Sequence, residues 1–61
     1  RMIVTDTEVM VVDYKSSAQE QSAGTDQVRY YMEMMSALYP DRRITGFLMY
    51  LDSLSLEEIH G

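Results

Sequence analysis

The sequence predicts an α/β fold with element order β-β-α-β-β, a mixed sheet and one crossover helix. Two apolar runs of strand length, Val9 to Tyr14 and Ile44 to Leu51, carry side chains suited to burial on both faces. Between them, apolar residues recur at helical spacing from Val28 to Tyr39. A strand, a helix and a second buried strand in that order form a right-handed crossover, which makes the two runs parallel neighbours.

Taken in order, Arg1-Met2-Ile3-Val4 reads as the tail of a strand, and Thr5-Asp6-Thr7-Glu8 as a polar turn of hairpin length. The first two strands therefore pair antiparallel. In the second strand, Val9, Val11, Asp13 and Lys15 project from one face and Met10, Val12 and Tyr14 from the other. From Ser16 to Gly24 the chain is rich in small polar residues without periodicity, which predicts a mobile loop. Thr25 or Asp26 then offers an N-cap. Val28, Tyr31, Met32, Met35, Leu38 and Tyr39 follow, and at about 100° per residue they span an arc of about 120°, with Arg29, Glu33 and Ser36 opposite. Pro40 stops this helix. The strand Ile44 to Leu51 follows, Asp52 to Ser55 turns the chain again, and Leu56 to His60 reads as an edge strand pairing back as a hairpin. Glu57 and Glu58 read as a solvated edge, and the six methionines as adaptable core.

Sixty-one residues make at most one small domain, which buries only about 60% of its unfolded surface. The chain begins at Arg1, beside a strand, and reads as a fragment of something larger. The doubly apolar strands, together with Tyr30 and Met34 outside the helical arc, predict that such a fragment self-associates. The absence of cysteine, with His60 as the one histidine, leaves no thiolate cage and argues against a zinc site; the lack of cysteine fits a cytoplasmic setting. No apolar stretch approaches the roughly 20 residues of a membrane span, so no membrane role is expected. A formal net charge of −5 with five basic residues argues against free-standing nucleic-acid binding. Carboxylates that hold a metal, with phosphate contacts made elsewhere in a parent protein, remain compatible with that balance.

Asp13 and Lys15 are the candidate reactive pair. Ligands of open α/β sheets bind at the carboxyl ends of strands, where these two charges fall. On the helix, Gln27 and Tyr31 are four residues apart and lie one above the other. Gln27 stands at the edge of the apolar arc, where a polar group can look toward Asp13 and Lys15. The plain alternatives are a structural ion pair for Asp13 and Lys15, and a helix edge and core tyrosine for Gln27 and Tyr31.

The run Val12-Asp13-Tyr14-Lys15-Ser16, followed by Gln27-Val28-Arg29-Tyr30-Tyr31, Leu38-Tyr39-Pro40 and Gly46-Phe47-Leu48-Met49-Tyr50, resembles the RecB-like branch of the PD-(D/E)XK nucleases. That branch carries a DYK signature on a strand and a QxxxY signature on the next helix, and occurs at the C-terminus of UvrD-type helicase-nucleases and in related repair exonucleases. The resemblance covers about Val9 to Tyr50 and implies that residues 1–61 are the C-terminal part of a restriction-endonuclease-like core. The implied activity is magnesium- or manganese-dependent DNA cleavage by a cytoplasmic parent that reaches DNA with an ATP-driven helicase domain or subunit. Asp13 would match a metal ligand and the Tyr14 backbone carbonyl a second, with Lys15 orienting or activating the attacking water. Gln27 and Tyr31 would match the pair that supports the lysine and contacts DNA. The chemistry is consistent, because a phosphodiester needs a hard cation and hard cations take oxygen ligands.

The family carries a further acidic residue on the preceding strand, typically just before an arginine, and that position falls immediately upstream of Arg1. Asp6 and Glu8 lie at the wrong end of the hairpin to replace it, and His60 does not correspond to the histidine that RecB-type enzymes place upstream. The expectation is an active parent and an isolated fragment without a complete metal site. The rival reading from a different class is a degenerate nuclease fold that serves as a docking or DNA-guiding module.

Overall fold

The computed structural model describes residues 1–61. Strand β1 (Met2–Val4) turns through Thr5, whose hydroxyl oxygen accepts the Glu8 N–H at 3.0 Å and that of Thr7 at 3.4 Å. A threonine at the first turn position supplies the acceptor that the tight turn needs. The chain returns as β2 (Glu8–Lys15), antiparallel to β1 with Ile3 opposite Met10. Helix α1 (Gln21–Leu38) leads to β3 (Arg43–Tyr50), parallel to β2, and β4 (Ser55–Ile59) closes a hairpin with β3. The sheet order is β1-β2-β3-β4, the mixed α/β sheet with one crossover helix that the sequence predicts. No helix is long and apolar enough to cross a membrane.

Two expectations are corrected. The stretch Ser16 to Gly24 is not a loop: after a single 3-10 turn over Ala18–Glu20, α1 is already formed at Gln21, ahead of the Thr25 or Asp26 cap. Ala18, Gln19, Glu20, Gln21 and Ala23 are good helix formers, and the Glu20 carboxylate binds the Ser16 N–H at 3.1 Å and its hydroxyl at 3.3 Å, closing the turn. Gly24 is no breaker but a contact residue, buried against the sheet. The second correction concerns burial. Only one face of the sheet is covered, because there is only one helix to cover it. Val9, Val11, Leu48 and Tyr50 are buried beneath α1, whereas Met10, Val12, Phe47 and Met49 on the far face are half-buried and Tyr14 is 49% exposed.

The core joins Val9 and Val11 of β2, Leu48 and Tyr50 of β3, Ile59 of β4, and Val28, Met32 and Met35 of α1, with Tyr39 and Ile44 packed against it. The buried helical stripe is therefore Gly24, Val28, Met32 and Met35, narrower than the apolar arc: Tyr31 lies at its margin and Leu38 is 66% exposed. The helix ends where Tyr39 leaves helical geometry ahead of Pro40, its N–H still bonded to the Met35 carbonyl at 2.8 Å.

Gly46 sets how close α1 can lie to β3. A Cβ on Gly46 would stand 2.6 Å from Val28 Cγ1 and clash with Met32 Sδ as well. Gly46→Ala is expected to lower stability by about 1–3 kcal/mol through overpacking, read as a fall in the urea midpoint at unchanged m-value.

Candidate functional site

The period of an extended strand brings Asp13 and Lys15 to the helix side of β2, in line with the buried Val9 and Val11. Past Val11 the helix no longer covers the strand with apolar side chains, so the last two inward positions can carry charge. Lys15 Nζ lies 3.3 Å from Asp13 Oδ2 and donates a hydrogen bond of 3.3 Å to Gln27 Oε1. Their side chains are 19% exposed for Lys15 and 32% for Asp13, which places the pair between a surface salt bridge and a buried one. Asp13 Oδ2 itself is closed off from solvent and accepts no hydrogen bond, leaving the contact with the ammonium as its polar neighbour.

Lys15 reaches this position along Gly24. A Cβ at Gly24 would lie 2.9 Å from Lys15 Cε and 3.3 Å from Cγ, and 2.9 Å from Leu48 Cδ2. The lysine stem therefore runs beneath the first turn of the helix, where a larger residue would fit only if the Lys15 or Leu48 side chain shifted. One turn farther on, Gln27 receives the ammonium.

Asp13 and Gln27 also line a cleft of about 370 Å³, together with Tyr31, Arg1, Met2, Val11 and Val12. Tyr31 thus joins the cleft rather than the lysine, and its ring meets that of Tyr30 edge to face at a centroid distance of 5.6 Å. The Tyr14 side chain points to the opposite face of the sheet. Its backbone is placed differently: Val12 exchanges hydrogen bonds with Arg1 while the Lys15 carbonyl accepts from Leu51 N–H at 2.9 Å, so alternate carbonyls of β2 point toward β1 and toward β3. The Tyr14 carbonyl, in step with that of Val12, is directed to the β1 side, where that strand has already ended.

Of the sequence-predicted residues, Lys15 contacts both Asp13 and Gln27, Tyr31 shares a cleft with Asp13 and Gln27, and the Tyr14 carbonyl is directed to the β1 side of β2. No group of three or more His, Cys, Asp or Glu side chains comes together anywhere in the chain. Glu8 stands five residues from Asp13 along β2, about 16 Å away, and Asp6 lies in the hairpin turn beyond it. A carboxylate oxygen without a hydrogen bond and a carbonyl free of the sheet are hard donors. Oxygen donors of this kind suit a hard cation such as magnesium, which is commonly held by one or two carboxylates with water and substrate phosphate completing its shell.

Glu57 corrects the expectation of a solvated edge. Its register partner is Leu48, so it faces the helix, where it accepts the Tyr50 hydroxyl at 2.7 Å and the Gln21 amide at 2.9 Å. The signal available in the sequence was the alternation along β4, which puts Glu57 in step with the buried Ile59. The Tyr50 hydrogen bond, then that of Gln21, holds the Glu57 carboxyl below its ordinary range, and the same contact pushes the Tyr50 phenol up.

No family model, curated protein or solved structure matches this chain.

Because the folded pKa of Glu57 is depressed, the stabilisation it gives is complete above the ordinary glutamate value of 4.5 and is lost as the pH falls through the lower folded value. Urea midpoints measured from pH 6 downward are expected to fall less steeply in Glu57→Gln, which does not titrate, than in the parent sequence. Equal slopes would show that the carboxylate is not preferentially stabilised in the fold.

Proposed function

We propose that this chain is part of a metal-dependent DNA exonuclease domain that hydrolyses phosphodiester bonds in repair and recombination, in a protein attached to or partnered with a helicase. The observation that carries this reading is the contact between the two sequence signatures: the Lys15 ammonium of the DYK strand is bound by the Gln27 amide of the QxxxY helix, beside the Asp13 carboxylate. Tyr31, the last residue of the helix signature, lies in the cleft that Asp13 lines.

In this reading Asp13 and the Tyr14 carbonyl would hold a magnesium or manganese ion, which supplies neutralisation of the charge that develops on the phosphoryl oxygens. Lys15 holds and orients the attacking water, Gln27 fixes the direction of the ammonium, and Tyr31 offers a ring and a hydroxyl to the DNA strand. A non-catalytic docking or DNA-guiding module is the second reading. It is favoured by the single carboxylate in the cleft.

The two readings separate on two variants in the protein that carries this chain, assayed for cleavage of end-labelled DNA, for metal affinity and for melting temperature. Lys15→Ala is expected to lower cleavage by about 100-fold or more while metal affinity stays within a few-fold, because an ammonium is no ligand for magnesium. Asp13→Ala is expected to weaken metal binding and cleavage together. If the pair is only structural, each variant instead lowers stability by about 1–3 kcal/mol without a selective loss of cleavage, the range between exposed and buried ion pairs. A Lys15→Ala protein that cuts at the wild-type rate overturns the catalytic assignment.

A further inference from the structure

Away from the cleft, one polar cluster ties three elements together. The Tyr50 hydroxyl of β3 donates to Glu57 Oε1 of β4 at 2.7 Å, and Gln21 Nε2, on the first residue of α1, lies 2.9 Å from each oxygen of the same carboxylate. Tyr50 is buried, and its register partner across β3 and β2 is Lys15. Hydrogen bonds to a carboxylate are about twice as strong as neutral ones. Glu20, at the N-cap position of α1, makes no side-chain cap and binds Ser16 instead, so Gln21 carries the hydrogen bonds that tie the first helical residue to the sheet.

The helix transmits whatever fixes its first turn. Gln21 and Gln27 are six residues apart, about 9 Å along a rigid rod, and Gly24 lies midway. Gly24 and Gln27 both meet Lys15, the first along its stem and the second at its ammonium. A Cβ at Gly24 would press on the lysine stem, so the height of the first turn sets the width of the channel in which the lysine lies.

We propose that Glu57 is a positioning residue for Lys15: by binding Tyr50 and Gln21 together it sets the height of the first two turns of α1 over the sheet, and so holds Gly24 and Gln27 against the lysine. Its relevance to catalysis rests on the reading of Lys15 as the water-orienting group, but the geometry is testable without any cleavage assay. A failure of the nuclease reading and a failure of this inference are therefore distinguishable.

Lys15 is the one lysine of the chain, so selective 13C-lysine labelling yields a single Cε resonance. The nuclear Overhauser cross-peak between Lys15 Hε and Gly24 Hα reports the contact directly. Glu57→Ala is expected to abolish that cross-peak and shift the Cε resonance. Glu57→Gln, which keeps a side-chain acceptor for Tyr50 and Gln21, is expected to retain the cross-peak. Leu56→Ala, a change on the outward face of the same strand, controls for general loosening of β4 and is also expected to retain it. Tyr50→Phe removes one hydroxyl and leaves the ring in the core; it is expected to weaken the cross-peak at least two-fold, and it decides the matter if Glu57→Ala does not fold. A cross-peak unchanged in Glu57→Ala or in Tyr50→Phe, or lost equally in Leu56→Ala, overturns the proposal.

Discussion

The close approach of α1 to the parallel pair β2 and β3 is the constraint on which the rest of the structure depends. Two glycines permit it from opposite sides. Gly46 on β3 lets Val28 and Met32 descend onto the strand, and Gly24 on the helix makes room for Lys15 and Leu48 coming up from the sheet. With one helix and four strands there is no second layer to share the packing, so seven of the eight core residues lie in this seam and Ile59 of β4 flanks it. On the far face Met10, Val12, Phe47 and Met49 are only half-buried and stand outside the core. In a chain of this size a few tenths of an ångström at the seam matter, since close-packed interiors do not deform continuously.

That same contact decides the electrostatics of the candidate site. Lysine keeps its charge in water by preference, and a stem drawn under a helix moves the ammonium away from it. Asp13 returns part of the lost solvation through its charge and Gln27 through its amide oxygen, each at 3.3 Å. The arrangement is not saturated. Both contacts are long for charge-assisted hydrogen bonds, which commonly fall near 2.7–2.9 Å, and Asp13 Oδ2 accepts no hydrogen bond at all. A purely structural ion pair gains most from short bonds with every lone pair used. By that measure the Asp13–Lys15 contact is looser than a fully bonded ion pair.

Much of this was legible in the sequence, for reasons that can be traced to particular residues. Strand alternation put Asp13 and Lys15 on one face, helical spacing put Gln27 and Tyr31 on one side of α1, and the parallel crossover brought the two pairs to the same end of the sheet. Each of these follows from a local period. What escaped depended on partners distant in the chain. Gly24 resembles a breaker until Lys15 and Leu48 are placed beneath it. Tyr31 and Leu38 count as apolar-arc residues until the width of the sheet is known, and one helix on four strands leaves the rims of its arc uncovered. Glu57 resembles a solvated charge until its register against Leu48 turns it toward Tyr50 and Gln21. The doubly apolar strands suggest burial on both sides because the sequence of a strand records what both faces tolerate, not how many layers the chain can supply.

The polar groups are distributed unevenly, and the crossover explains why. A parallel strand-helix-strand unit sets the start of its helix over the carboxyl ends of its strands, so the partial positive charge of the α1 N-terminus falls near Lys15, Tyr50 and Glu57. For Glu57 this field is favourable and acts in the same direction as its hydrogen bonds. For the Lys15 ammonium it is unfavourable, and a lysine placed directly at the first turn would be pushed outward. The field fades within about one turn, and the ammonium is received at Gln27, in the second turn, with the Asp13 carboxylate on its other side. One carboxylate therefore occupies the helix start while another accompanies the cation beyond it.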